Sequence, residues 1–330
     1  MNSSPAVSVI VPIYNVERYI EKCARSLFEQ SLGNLEILFV DDCSPDNSIA
    51  IIKNILKNYP DRISATRIIR MPANRGQATA RRQGIIEAKG EYIIHCDGDD
   101  WVDADLYKAL YDKALSDDAD IVCCDFIIET IKGSTIKTVS LSSNNGKDII
   151  EQWYHKPMHM SCCNKLVKRS LCIDHKILPW VGLNMWEDNG LFLRLFYYAT
   201  KVTNITGVYY HYNKQNDTSL SSTYGEESVR QMIEVAKNVT EFYSSAYDKN
   251  RFDRSIKALQ FYARINLVTD SFKKLRDYRK TFPNCIDIIP HIQIQVFSPR
   301  AAIRFRFVKL HLEWLFVLLF KMRNLFCRFH

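Results

Sequence analysis

The chemistry-bearing stretch of this chain is Ile93-Ile94-His95-Cys96-Asp97-Gly98-Asp99-Asp100-Trp101, where strand-forming residues run into three carboxylates around one glycine. On an extended segment, residues two apart point to the same side, so Asp97 and Asp99 can face one site together. Two hard anionic ligands side by side repel each other unless a cation lies between them. Mg²⁺ or Mn²⁺ suits such a pair and keeps open positions for substrate phosphates. Taken alone, Asp-Gly-Asp-Asp fits a solvated acidic turn equally well, because both residue types are ordinary turn formers.

The elements that must position these acids decide between the two. Val7 to Pro12 is an apolar, β-branched run of the kind a buried parallel strand shows, ended by Pro12. A helix is expected through Val16, Tyr19, Ile20, Cys23, Ala24, Leu27 and Phe28, with Asn15 as its cap. Leu35 to Val40 reads as a second strand, and Asp41 to Ser48 as a loop opening a second helix through Leu56. A third strand is expected around Ile63 to Ile69, then Asn74-Arg75-Gly76 and a helix from Gln77 to Ala88 stopped by Gly90. Tyr92 to Cys96 is the fourth strand, Leu106 to Ala114 a helix and Asp120 to Ile128 a fifth strand.

Strands alternating with helices predict an α/β layer on a mostly parallel sheet. Pro12-Tyr14-Asn15, Asp41-Asp42 and Asp97-Asp99 then each fall just past the C-terminal end of a strand, the edge where open α/β sheets bind ligands. Neither G-x-G-x-x-G after the first strand nor G-x-x-x-x-G-K-[ST] is present, which argues against a dinucleotide fold and a P-loop.

These residues resemble the family 2 glycosyltransferases of the GT-A nucleotide-sugar fold. The likeness rests on Val9-Ile10-Val11-Pro12-Ile13-Tyr14-Asn15, Asp41-Asp42-x-Ser44-x-Asp46, Asn74-x-Gly76 with Ala80-Arg81, and Asp97-Gly98-Asp99-Asp100. Trp186-Glu187-Asp188 resembles the family's acceptor-site acids, and Asn164-Lys165-Leu166 a recurrent segment. Cys43 stands where the family often has glycine. No Gln-x-x-Arg-Trp is present, so a single addition is expected rather than processive synthesis. The likeness is strong over residues 7–125, looser to about 221 and lost beyond.

The resemblance implies a nucleotide-sugar donor, with UDP expected and GDP or dTDP open. It assigns Asp41 to the nucleobase and Tyr14 to the base face, roles an acceptor carboxylate and an aromatic ring suit. It puts Asp97 at the ribose and Asp99 on Mn²⁺ or Mg²⁺. Pro12, Asn15, Asp42, Asn74, Gly76 and Gly98 complete the nucleotide-sugar set. Arg81 is counted with them, to approach the diphosphate or to brace the loop. A nucleoside diphosphate leaving with metal assistance needs no protonating carboxyl, so one base on the acceptor hydroxyl suffices for an inverting transfer. Asp188 is expected to be that base, with Glu187 second; read without the family, the same two acids simply complement a helix N-terminus running through Leu191, Phe192, Leu195 and Phe196. Ser219, Ser221 and Ser222 are candidates for phosphate contacts, and His211 is equally a hydrogen bonder or a ligand.

The expected organisation is a GT-A domain over 1–221, with a nucleotide-sugar half over 1–125 and an acceptor half over 126–221. A helical region over 222–298 follows, with helices expected from Ser228 to Tyr247 and Ser255 to Leu275, then a basic amphipathic tail over 299–330. The ten cysteines show neither a disulfide framework nor metal-ligand spacing, and no secretory signal is read at the N-terminus, so a reducing cytosol is expected. The net charge of +7 is concentrated in the tail, where seven Lys/Arg from Arg300 onward face only Glu313. A nucleic-acid partner is therefore not expected. Bulky apolar residues alternate with those basic ones, but the longest uncharged run, Trp314 to Phe320, is short of the roughly 20 residues that span a bilayer. A helix lying in the inner face of the cell membrane is the expected arrangement, bringing the site to a glycan or lipid-linked acceptor of surface-polysaccharide or lipopolysaccharide assembly. Two alternatives are a sugar-1-phosphate nucleotidyltransferase, which lacks its glycine- and basic-rich loop here, and a non-catalytic membrane-surface binding protein, which leaves the acidic strand ends unexplained.

Overall fold

The computed structural model describes residues 4–216, 225–269, 271–292 and 299–326. It divides the chain into two compact units, Met1–Ile149 with Met158–Thr223, and Ile150–Pro157 with Tyr224–His330.

The first unit is an α/β layer. Its first half runs β1 (Val7–Ile13), α1 (Ile20–Phe28), β2 (Leu35–Asp41), α2 (Ser48–Leu56), α3 (Pro60–Ile63), β3 (Thr66–Arg70), α4 (Gln77–Glu87) and β4 (Tyr92–His95). It continues through β5 (Trp101–Val102), α5 (Leu106–Asp117), β6 (Ile121–Thr130), β7 (Gly133–Lys137) and the start of α6 (Gly146–Gln152), whose residues from Ile150 count with the second unit. Then come β8 (Lys165–Lys168), α7 (Arg169–Asp174), α8 (Glu187–Tyr198) and β9 (Val202–Asn213). Among the described residues the sheet order is β3-β2-β1-β4-β8-β6-β9-β5, with β7 on β6.

The expected parallel pairing holds from β3 through β4. There the strands are apolar on both faces and helices cover both sides, so β1, β2 and β4 are almost wholly buried. Beyond β4 the sheet is mixed, because β8 enters antiparallel to both β4 and β6 while β9 runs parallel to β6. The described cysteines are all free thiols, and all but Cys43 are buried.

Several local expectations shift. Pro12 lies inside β1 rather than ending it; β4 pairs only as far as Ile10, so the missing Pro12 donor faces no ladder partner on that side. Asn15 does not cap α1. It sits in the left-handed region at φ 54° with its N–H on Ser44 Oγ, a separate turn follows in which Tyr19 and Ile20 donate to Val16 O, and Tyr19 occupies the cap position. Gly90 lies beyond the end of α4 and is required for another reason, since a Cβ there would meet Ser8 N at 2.6 Å.

The second unit is helical: α9 (Glu226–Ser244), α10 (Asp253–Arg264), α11 (Phe272–Lys280), α12 (Pro299–Lys309) and α13 (Glu313–Phe326), with 3₁₀ segments between. The helix expected from Ser255 to Leu275 is broken after Arg264, and α11 restarts with Ser271 Oγ accepting from Lys274 N. The tail is two helices, not one, turning at His311 with φ 57°. Phe305, Val308, Phe316 and Val317 are buried within this unit, Phe305 edge-on to Phe261 at 5.9 Å. No described helix is long and apolar enough to cross a membrane.

Candidate functional site

A cavity of about 690 Å³ in the first unit opens at the C-terminal ends of β1, β2 and β4. Its wall includes Pro12, Tyr14, Asn15, Asp42, Asn74, Gly76, Arg81, Asp97, Gly98, Asp99, Glu187 and Asp188. Asp41 stands behind it: buried, with Oδ1 accepting from Ser44 N at 2.8 Å and Arg70 Nε 3.7 Å from Oδ2. His211 lies off the cavity, stacked on Trp101 and held between Glu129 at 2.8 Å and Asp103 at 3.0 Å. Ser219, Ser221 and Ser222 lie outside the described residues.

The loop after β2 is shaped by its acids. Asp42 accepts from Arg75 N at 2.8 Å and Gly76 N at 2.7 Å, fixing the 74–76 turn. Burial raises the Asp42 pKa even though these two donors oppose it. Cys43, where the family often has glycine, adopts φ 57°, a conformation glycine takes without cost; its thiol reaches Met71 O at 3.0 Å. Gly76 at φ 85° is needed twice, since a Cβ would also fall 2.2 Å from Asn184 Nδ2. Asn184 Oδ1 in turn accepts from Ala78 N in the first turn of α4.

Arg81 joins the two acidic motifs. Its Nη2 is 2.6 Å from Asp97 Oδ1, its Nη1 is 2.5 Å from Glu187 Oε1, and its side chain is only 4% exposed. Gln77, one helical turn earlier on the same face of α4, donates to the same Asp97 oxygen at 2.8 Å. In this structure both terminal nitrogens of Arg81 rest on carboxylates, one in the acidic loop and one in α8.

The remaining acids separate by partner. Asp100 is an internal strut, with Oδ1 accepting from Asn213 N at 2.7 Å and Oδ2 accepting from the Tyr210 hydroxyl. That hydroxyl also accepts from Asp97 N at 3.1 Å, so the end of β9 holds the acidic loop in place. Asp99 Oδ2 accepts from Asn216 Nδ2 at 2.8 Å. Burial raises both the Asp99 and Asp100 pKa values, and the neighbouring acids add to it.

Glu187 and Asp188 open α8 directly after Trp186, which is held at φ 66°. A bulky residue in the left-handed region at a cavity wall is a strained turn of the kind functional sites keep. Burial lifts the Glu187 carboxyl, against the pull of Arg81. It also lifts Asp188, whose Oδ1 accepts from Asn189 N at 2.7 Å. Lys165 supports this wall from behind. Fully buried, its ammonium donates to His159 O, Ser161 O and Asn164 Oδ1, tying down a segment that lines the cavity.

A divalent cation fits here only in partnership with a ligand. Asp97 and Asp99 repel each other, and among the described residues Asp97 Oδ2 has no hydrogen-bond partner. Among the described residues no three His, Cys, Asp or Glu side chains gather to hold an ion by themselves. One or two carboxylates completed by phosphate oxygens is the coordination Mg²⁺ ordinarily takes.

Gln77, Asn184, Tyr210 and Asn216 were not singled out by the sequence reading. Gln77 alone had a local signal, its i,i+4 spacing to Arg81; the others arrive from remote segments.

The chain matches the family model "Glycosyl transferase family 2" over residues 8–175. It is 39% identical over 140 residues to the uncharacterized glycosyltransferase EpsJ of Bacillus subtilis, covering 42% of this chain and 39% of that one. It is 31% identical over 217 residues to the putative glycosyltransferase EpsH of the same organism, covering 63% and 61%. The matched part thus spans less than two thirds of either relative. Its fold is similar to that of S. aureus TarS (residues 1–349), solved in complex with UDP-GlcNAc: TM-score 0.71 at 17% identity, covering 96% of this chain and 91% of that one.

Proposed function

Because this chain belongs to glycosyl transferase family 2, we propose that it is an inverting, metal-dependent transferase. It moves one sugar from a nucleotide sugar, with UDP as the nucleotide, to a hydroxyl of a glycan or lipid-linked acceptor in surface-polysaccharide or lipopolysaccharide assembly. One observation carries the reading: Arg81 ties Asp97, the first acid of Asp97-Gly98-Asp99, to Glu187 at one cavity that Asp188 also lines. The UDP-GlcNAc in the similarly folded TarS supports the choice of nucleotide.

In this reading Tyr14, 48% exposed at the cavity wall, offers its ring to the base, and the Asn74–Gly76 turn faces the donor. Asp99, with Asp97 beside it, would hold Mn²⁺ or Mg²⁺ together with the donor's phosphates; when bound, the ion stabilises charge on the departing diphosphate. Asp188 accepts the proton of the acceptor hydroxyl as its oxygen attacks the anomeric carbon from the face opposite the leaving group. Glu187, committed to Arg81, positions its neighbour. The chemical step therefore asks one proton acceptor of this chain and no proton donor.

The test is protection from heat unfolding by UDP with Mn²⁺. A ligand at one hundred times its Kd stabilises by about 2.7 kcal/mol. Asp99→Asn is expected to remove the metal-dependent part of that protection and keep the fold, since an amide still accepts from Asn216 but supplies no charge. Undiminished metal dependence in the variant would refute the Asp99 assignment. Protection by a nucleoside triphosphate and not by UDP would favour a nucleotidyltransferase.

The place of work proposed is the inner face of the cell membrane. Ile303, Leu310, Trp314, Leu318, Leu319, Phe320 and Met322 are exposed on α12, α13 and the turn between them, on the basic stretch. Such a surface suits insertion among anionic head groups. Deleting these helices would strip Phe305 from the buried Phe261 and expose the core beneath, so a triple substitution, W314S/L318S/L319S, is the cleaner probe. It should lose sedimentation with anionic vesicles while keeping its UDP response. Sedimentation equal to the parent's would defeat the proposal.

A further inference from the structure

His211 lies off the cavity, yet it is tied to the chain that leaves the acidic loop. β5 has two residues, and its antiparallel register with β9 sets Trp101 opposite His211 and Val102 opposite Tyr210. So short a strand supplies few ladder hydrogen bonds to hold that chain, and side chains supplement it. The His211 ring stacks on Trp101 with centroids 5.2 Å apart, and the Lys22 ammonium of α1 lies 3.0 Å from the centroid of the same Trp101 ring. His211 also meets a carboxylate at each nitrogen. Nε2 is 3.0 Å from Asp103 Oδ1, just past β5, and Nδ1 is 2.8 Å from Glu129 Oε1 on β6.

Both carboxylates are fixed from elsewhere as well. Asp103 Oδ2 accepts from Tyr209 N at 2.8 Å, and Glu129 Oε2 accepts from the Ser134 hydroxyl. Hydrogen bonds from Ser134 and His211 hold the Glu129 carboxyl below its ordinary range. A carboxylate only accepts, and a neutral imidazole has a single N–H. Both contacts are therefore satisfied together by a ring that donates from both nitrogens. Hydrogen bonds between ionised partners are roughly twice as strong as neutral ones.

The neighbouring residues at the end of β9 spend their polar groups on the acidic loop. The Tyr210 hydroxyl meets Asp100 Oδ2 and Asp97 N, and Asn213 N donates to Asp100 Oδ1 at 2.7 Å. Asn213 Nδ2 donates to Asp99 O at 3.1 Å, and Asn216 Nδ2 to Asp99 Oδ2 at 2.8 Å. His211 stands between these donors in sequence and clasps β9 to the chain on either side of it.

We propose that His211 is a positioning residue for the cation-binding acids. By clasping the β5 segment and β6 across β9, it sets where Asp99 stands, and so how strongly a divalent cation joins a nucleoside diphosphate in the cavity. This rests on the metal-dependent transferase reading of that cavity and adds a residue that touches neither donor nor metal.

The test is titration calorimetry of the full chain with UDP, once with Mn²⁺ and once with EDTA, and denaturant unfolding alongside. His211→Phe keeps an aromatic ring on Trp101 and removes both donors. Asp103 and Glu129 retain some contact with solvent, so the variant is expected to fold. The gain in UDP affinity that Mn²⁺ brings should shrink by about tenfold or more, as for loss of a residue that orients metal ligands, with metal-free affinity unchanged. His211→Gln, which keeps one amide donor, should recover part of the gain; if the phenylalanine variant does not fold, the glutamine variant carries the same comparison. An undiminished gain would overturn the proposal. So would an equal fall with and without Mn²⁺, which is what general loosening of the unit produces. A parent chain whose UDP affinity ignores Mn²⁺ would defeat the metal-dependent reading itself and this proposal with it, whereas a variant with a parental gain defeats the role of His211 alone.

Discussion

Asp188→Asn is expected to lower turnover by about 10²–10⁴-fold while leaving UDP binding at its parental strength, because a general base acts on the acceptor and not on the nucleotide. The amide keeps the shape of the side chain and its place at the start of α8, so folding should survive. The pH profile gives a second reading of the same group. Burial raises the Asp188 pKa above the ordinary aspartate value, and a base works only when deprotonated. The parental rate should therefore rise with pH along a limb displaced upward from that of a solvent-exposed aspartate, and the residual activity of the variant should lack that limb. Steady-state transfer across the acid range, with UDP binding measured alongside, checks both. A variant with near-parental turnover would move the role to Glu187 or away from α8 altogether.

Arg81→Met is expected to destabilise the first unit by about 3–5 kcal/mol, since removing one member of a buried ion pair leaves its partners as uncompensated charges. Glu187 is the more affected partner, because it is buried, while Asp97 retains some contact with solvent. Methionine fills much of the same volume, so a packing loss alone should be small. A double variant, R81M/E187Q, should recover part of the lost stability, as the stranded carboxylate is gone. Denaturant unfolding of the parent and the two variants measures this directly. An R81M protein as stable as the parent would show that the ion-pair bridge between the two acidic motifs carries no weight.

The reach of local sequence is visible at the strand ends. β-Branched apolar runs bury on both faces of a parallel sheet, so wherever such a run stops at acids, those acids fall near the ligand-binding edge; this brought Asp42, Asp97 and Asp99 to the cavity without any long-range contact, while Asp41, still inside β2, is buried behind it. The start of α8 at Glu187 was legible for the same kind of reason, an apolar 3.6-residue period beginning after two acids. Other features had no local cause to read. Arg81 meets partners 16 and 106 residues away, and no periodicity points to them until packing brings α4 and α8 to one cavity. Asp100 belongs to Tyr210, and Asp99 to Asn216, because β9 returns beside the acidic loop. Asn15, a good capping residue by type, is pulled into the left-handed region with its N–H on Ser44 of another loop, and a tertiary hydrogen bond replaces the local cap. The insertion of β8 between β4 and β6 turned half the expected parallel sheet into a mixed one. Strand propensity reports that a segment pairs but not in which direction; that follows from where the chain has just been.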